Sequence, residues 1–177
     1  MSKKAFFDQL NREVFITDQP KRIVSLVPSI TELLHYLNLD AEVVGITKFC
    51  IHPKSWFDNK QRIGGTKNLD IEKIIALNPD LIIGNKEENT KEDIMSLSEK
   101  LPVWLSDINT IDDALKMMNC LGQILNKEVQ CDDLVKTISH SFKSVSSIGE
   151  SKSVLYFIWF EPHYVVGSST YIDSMLN

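Results

Sequence analysis

Short runs of β-branched and aliphatic residues alternate with amphipathic stretches from Arg22 to Leu125. Ile23-Val24-Ser25-Leu26-Val27 has the length and composition of a buried strand and is too short for a helix. Pro28 ends it. Ser29 then opens a helix with Glu32 three residues on, the spacing of a capping box in which two side chains satisfy each other's orphan amides. Leu33, Leu34, Leu37 and Leu39 supply the apolar side of that helix, Asn38-Leu39-Asp40 breaks it, and Val43-Val44-Gly45-Ile46 begins a second strand. Strand, crossover helix and strand make a βαβ unit, which implies a parallel sheet with a right-handed crossover.

The alternation continues. Glu13 to Thr17 reads as a short edge strand and Lys48 to Lys60 as a loop. Arg62-Ile63-Gly64-Gly65 is a brief extended piece, and Asn68-Leu69-Asp70 caps a short helix from Ile71 to Leu77. Asn78-Pro79-Asp80 stops that helix, because proline cannot continue it, and Leu81 to Gly84 is the next strand. Thr90 and Asp93 stand at capping spacing before a helix that reaches Lys100; Val103-Trp104-Leu105 is a further strand; Thr110 and Asp113 cap a helix that reaches Leu125. This is the pattern of an α/β fold, a parallel sheet with flanking helices on both faces.

At Glu128 the pattern changes. Val129, Leu134, Ile138, Phe142 and Val145 recur at helical spacing, which predicts one long helix to Ser147, roughly 30 Å in length. Val154 to Phe160 is the strongest strand signal in the chain, followed by a turn at Glu161-Pro162-His163, a short strand Tyr164 to Gly167 and a helix opening at Thr170. The expected organisation is an N-terminal α/β lobe over residues 1–126, a connecting helix over 127–149, and the beginning of an incomplete second lobe over 150–177.

Composition narrows the function classes. A net charge of −5 gives no reason to expect nucleic acid or an anionic membrane surface as partner. No apolar run approaches the ~20 residues of a membrane span. The N-terminus lacks the apolar core of a secretory signal, so the chain as written reads as cytoplasmic, and three scattered cysteines make no disulfide framework. A monomer is expected. Catalytic motifs are missing: G-x-S-x-G, the P-loop and a strand-borne G-x-G-x-x-G are all absent, and Asp112-Asp113 and Asp132-Asp133 suit helix dipoles rather than acid–base work. The chain reads as a non-enzyme with no required cofactor.

RIVSLVPSITELL, VVGIT, RIGGTKNLDIEKIIALNPDLIIG and the long helix together resemble the class III substrate-binding proteins of ABC importers, most closely their cobalamin-binding branch. The resemblance covers Arg22 to the C-terminus. It implies two α/β lobes on one rigid helix, with cobalamin, haem or a ferric chelate held in the cleft between them for delivery to the importer's membrane subunit. Such proteins work in the periplasm.

In open α/β sheets ligands sit beyond the carboxyl ends of the strands. By the resemblance, Phe49 matches an aromatic that lines this region in cobalamin-type proteins. Thr66 and Asn85 fall where that branch carries further aromatics, so Thr66, Lys67, Asn85 and Lys86 are expected to make polar contacts instead. Phe160, His163 and Tyr164 would face them from the second lobe. Glu72 matches a glutamate that docks on the membrane subunit, and it also suits the first turn of its helix as a dipole partner. Cys50 and His52 are one residue apart; in an extended loop they would share a face and could bind a metal, with His163 as a third ligand. His35 and His140 read as ordinary helix residues. The alternatives are an intracellular metal or corrinoid carrier, a non-functional truncated relative, or a small-molecule enzyme on a doubly wound sheet.

Overall fold

The computed structural model describes residues 3–145 and 153–176. Two compact units are formed, Met1–Asp107 with Gln123–Lys127, and Ile108–Gly122 with Glu128–Asn177.

The first unit opens with a hairpin of β1 (Lys3–Phe7) and β2 (Glu13–Thr17), paired antiparallel from Lys3↔Thr17 to Phe7↔Glu13. Only β2 is legible as a strand. β1 carries exposed side chains at most of its positions and so shows no in–out alternation. Asp8 builds the turn: Oδ1 accepts from the amides of Leu10 and Arg12 at 2.9 Å each, Oδ2 accepts from Arg12 Nε at 2.8 Å, and Asn11 takes the left-handed conformation at φ 58°. Trp104, fully buried, donates from Nε1 to the carbonyl of Phe7 at 3.2 Å and ties the hairpin down.

Next come β3 (Ile23–Ser25), α1 (Pro28–Tyr36), β4 (Val43–Ile46), α2 (Lys54–Asn59), β5 (Gln61–Arg62), β6 (Gly64–Gly65), β7 (Asn68–Leu69), α3 (Ile71–Ala76), β8 (Leu81–Asn85), α4 (Lys91–Ser98) and β9 (Val103–Ser106). The main sheet is five-stranded in the order β5-β4-β3-β8-β9, and every pair is parallel. The chain builds outward from β3 through β4 to β5, then returns to the other side of β3 for β8 and β9. The order therefore reverses between β3 and β8. All of β3, β9 and the first four residues of β8 are buried, as expected for strands covered on both faces.

Three local expectations change. Helix α1 begins at Pro28, not Ser29: Val27 is its N-cap and no side chain caps it, so Ser29 and Glu32 do not form a capping box. Proline at the first helical position needs no amide partner, and its fixed φ suits the helix. Within the expected loop 48–60, Lys54 to Asn59 is helical, anchored by a buried Trp56. The Asn-Pro-Asp stop after α3 also has a structural role. Asn78 takes φ 47°, and the Asp80 carboxylate accepts 2.8 Å bonds from the main-chain amides of Lys21 and Arg22, locking the start of β8 to the start of β3. The caps at Asp70 and Thr90 form as the spacing predicts, each accepting from the amide three residues on.

In the second unit, Thr110 and Asp113 form a reciprocal box at the head of α5 (Ile111–Leu125): Asp113 N donates to Thr110 Oγ1 at 3.1 Å, and Thr110 N donates to Asp113 Oδ2 at 3.0 Å. Helix α6 (Glu128–Val145) runs unbroken for 18 residues, about 27 Å. The expected end at Ser146-Ser147 lies outside the described residues. Gly122 of α5 faces Cys131 of α6 so closely that a Cβ there would lie 2.9 Å from the Cys131 Cβ. Val154 to Phe160 was the expected strand; regular pairing is confined to β10 (Phe157–Trp159) against β11 (Tyr164–Val165), and α7 (Tyr171–Leu176) follows. Every side chain from Val154 to Val165 is exposed.

Candidate functional site

The reversal of strand order between β3 and β8 opens a crevice at their carboxyl ends, the place where open α/β sheets bind ligands. A cavity of about 250 Å³ lies there, lined by Val27, Pro28, Ser29, Phe49, Thr66 and Glu88. A larger groove of about 400 Å³ runs along Arg12 to Phe15 and Ser98 to Val103. It adjoins the amino end of β9, away from the strand ends that carry the loops.

Phe49 is 52% exposed, a large ring displayed to solvent on a loop. Its loop is fixed on both sides. Lys48 N donates to Gly64 O at 2.8 Å, Cys50 N donates to Thr47 O at 3.1 Å, and Lys48 Nζ sits 5.2 Å from the ring centroid. The Cys50 side chain is fully buried beneath it, with Sγ 3.1 Å from both Thr31 Oγ1 and Thr47 Oγ1; Thr31 Oγ1 in turn lies 2.8 Å from Ser25 Oγ.

The two residues of the expected metal pair are placed differently from one another. Ile51 N donates back to Phe49 O at 2.9 Å, so the segment is a tight turn rather than an extended loop. Alternate side chains do not share a face in a turn: Cys50 points into the hydroxyl cluster, while His52 is exposed. Among the described residues no group of three His, Cys, Asp or Glu side chains is placed to hold a metal ion.

The polar candidates divide by what they already bind. Asn85 is spent on its own neighbourhood: Nδ2 donates to Ser106 Oγ at 3.0 Å, and Oδ1 accepts from the amides of Glu87 and Glu88 at 2.9 and 3.1 Å. Lys86 pairs with Asp107 Oδ2 at 2.8 Å, and this hydrogen bond with its charge attraction raises the Lys86 pKa. Lys67 Nζ reaches the carbonyl of Glu87. Thr66 is different: its carbonyl accepts from Asn89 Nδ2 at 3.0 Å, but its hydroxyl has no partner among the described residues. Asn89 is the brace that sequence reading missed. It is buried, it also accepts from Asn85 N at 2.9 Å, and it joins the Thr66 loop to the end of β8. Its only sequence signal is a polar residue just before the Thr90 helix cap.

Glu72 is exposed in the first turn of α3. Phe160, His163 and Tyr164 belong to the second unit, where the His163 ring lies 4.7 Å from Phe160 and 5.5 Å from Phe157.

Comparison with known proteins follows the same lines. The chain is 30% identical over 181 residues to YvrC, an uncharacterized ABC transporter substrate-binding lipoprotein of Bacillus subtilis strain 168, covering 96% of this chain and 57% of that protein. It is 25% identical over 95 residues to the vitamin B12-binding protein of Pectobacterium carotovorum subsp. carotovorum strain PC1, covering 53% of this chain and 34% of that one. The fold superposes on the periplasmic heme-binding protein RhuT of Roseiflexus sp. RS-1 in apo form with a TM-score of 0.75 at 23% identity, over 88% of this chain and 62% of that structure. The chain therefore spans little more than half the length of YvrC. Residues 23–177 match the periplasmic binding protein family, and the chain belongs to it.

Proposed function

We propose that the chain holds a corrinoid or an iron chelate against the carboxyl-end face of its parallel sheet, without chemistry, for handover to an ABC importer. The observation that carries this reading is Phe49, a 52%-exposed ring beside the cavity at the reversal of strand order. A flat macrocycle gains apolar burial and offset ring contact on such a surface. A cavity of about 250 Å³ accepts an edge group of such a ligand while the macrocycle itself rests outside it. The relatives that bind vitamin B12 and heme support the ligand class, and the buried position of Cys50 favours it over direct metal binding.

Two further parts belong to the same proposal. Glu72, exposed on α3, is the contact for a cationic side chain of the importer's membrane subunit. The lipoprotein and periplasmic descriptions of the relatives support a working place outside the cytoplasmic membrane.

Spectral titration with cyanocobalamin and with haemin tests the reading. At least one is expected to bind saturably, and Phe49→Ala is expected to weaken it about tenfold, the loss of one aromatic wall. Absence of binding by both, or consumption of either ligand on mixing, overturns it. Glu72→Gln should leave ligand affinity unchanged while weakening association with the importer.

A further inference from the structure

The N-terminal hairpin leaves one strand edge open. Asp8 N donates to Arg12 O at 3.0 Å, which sets the phase of the antiparallel ladder: Phe6↔Val14 and Lys4↔Ile16 are its hydrogen-bonded pairs. The peptide groups of Lys3, Ala5 and Phe7 therefore point away from β2, and those of Glu13, Phe15 and Thr17 point away from β1. The bond from Trp104 Nε1 to Phe7 O agrees with this phase, because it reaches the outer edge of β1. Among the described residues nothing bonds to the outer peptide groups of Glu13, Phe15 or Thr17.

The two edges are guarded differently. Lysines and a covering group are common means by which an edge strand avoids pairing with another chain. β1 has both, in Lys3, Lys4 and the Trp104 bond. β2, Glu13-Val14-Phe15-Ile16-Thr17, has no lysine, proline, glycine or bulge. The groove of about 400 Å³ runs along Arg12 to Phe15, so the rest of the chain does not fill this side of the strand. Val14 and Ile16 are buried, while Phe15 and Phe7, which the register places together on the opposite face, are 55% and 63% exposed.

The charges on that outer face point to the occupant. Lys3 lies beside Thr17 at one end of the hairpin and Glu13 beside Phe7 at the other; both are exposed, and neither has an ion-pair partner among the described residues. Consider an antiparallel copy of β2 related by a two-fold axis through Phe15. Phe15 then stands against Phe15 and Glu13 against Thr17, and these are the residues whose outer peptide groups can exchange both bonds. No like charges oppose each other. Glu13 of the second copy falls two strands from Lys3 on the same face, about 10 Å away between Cα atoms, within reach of two long side chains. The symmetry repeats the contact on the other side of the axis.

We propose that the free edge of β2 joins two copies of this chain into a continuous four-stranded antiparallel sheet, β1-β2-β2-β1. The Phe15 rings meet at the two-fold axis, and a Lys3–Glu13 ion pair closes each side. Pairing of strands this short buries less than the ~1,200 Å² of a standard complex, so the dimer is weak and forms with rising concentration. It uses neither the carboxyl-end crevice nor Phe49, and stands apart from the ligand reading.

Sedimentation velocity of the full chain tests it. The mass is expected to rise from monomer toward dimer between about 1 and 200 μM. Glu13→Lys alone and Lys3→Glu alone should each weaken the dimer about fivefold, since each breaks both symmetric pairs, and the combined Lys3→Glu, Glu13→Lys variant should restore it. Phe15→Asp sets two carboxylates against each other at the axis and should abolish it. Phe15→Cys should give a disulfide-linked dimer under mild oxidation, because directly opposed Cα atoms at such a pair are about 5.5 Å apart. These positions are exposed, and unchanged far-UV circular dichroism verifies that each variant is folded. A monomer at every concentration overturns the inference. So does a dimer that Phe15→Asp leaves intact, a double charge reversal that fails to rescue, or a dimer lost instead in a Phe157→Ser, Trp159→Ser variant, which would assign it to the β10–β11 hairpin.

Discussion

The side-chain amide of Asn89 donates to the main-chain carbonyl of Thr66 across 3.0 Å, while its Oδ1 receives the amide of Asn85 at 2.9 Å. One buried residue thus joins the loop after β6 to the end of β8, segments about twenty positions apart in the chain. Asn89→Ala leaves both main-chain groups unsatisfied in a buried setting, at a cost of about 2–4 kcal/mol. Urea denaturation should show the midpoint falling with the slope unchanged, and ligand affinity should fall with it.

Asp80 offers a cleaner probe of the fold. Its carboxylate accepts two main-chain amides at 2.8 Å, from Lys21 and Arg22. Asp80→Ala should destabilise by about 1–3 kcal/mol, the range for hydrogen bonds to a charged acceptor. Asp80 lies on the opposite end of the strands from the cavity, so ligand affinity of the folded fraction should not change.

Two adjacent glycines separate stability from binding. Gly64 has φ +97°, and a Cβ there would meet Asn68 O at 2.5 Å and Asp70 N at 2.8 Å, both immovable main-chain atoms. Gly64→Ala should cost about 2 kcal/mol or more. At Gly65 a Cβ would instead press on the Phe49 ring at 3.2 Å and the Lys48 chain at 3.3 Å, which can move. Gly65→Ala is expected to weaken ligand binding with little loss of stability; a drop in melting temperature equal to that of Gly64→Ala contradicts this assignment.

The thiols give a pH signature. Burial first, then the charges of Asp132 and Glu128, push the Cys131 thiol up to about 11. Its folded value exceeds the unfolded one of ~8.5. The stability from burying the neutral thiol is therefore fully present below pH ~8.5 and is lost as pH rises from there toward 11. Unfolding midpoints of the native chain and of Cys131→Ala should diverge at neutral pH and converge across that window. In native protein at pH 8, iodoacetamide should modify Cys120 first, slowly because burial also raises its pKa, and should spare the fully buried Cys50 and Cys131.

Most of the fold was legible because its signals are local. β3, β4, β8 and β9 are short apolar runs, and Asp70, Thr90 and Thr110 stand where caps must stand. What escaped depends on contacts distant in sequence. β1 is held by Trp104 from far along the chain and shows no alternation of its own. The candidate site follows in sequence from the strand ends; what each side chain there already contacts does not. Asn85 and Lys86 have the right chemistry for ligand contact, yet Ser106 and Asp107 already occupy them. Cys50 read as an accessible ligand because a turn and an extended loop look alike in sequence; only the hydroxyls of Thr31 and Thr47 decide the matter. Glu88 and Asn89 carried no signal beyond polarity.

The hairpin of β10 and β11 bears on how any titration is to be run. From Phe157 to Phe160 it displays two phenylalanines, an isoleucine and a tryptophan to solvent, each at least 44% exposed. Haemin is greasy enough to adsorb on such a strip, and a sloping, non-saturating curve from that adsorption would mimic weak specific uptake. A Phe157→Ser, Trp159→Ser double variant separates the two events: surface adsorption is expected to disappear from it, while the saturable plateau proposed for the Phe49 face persists.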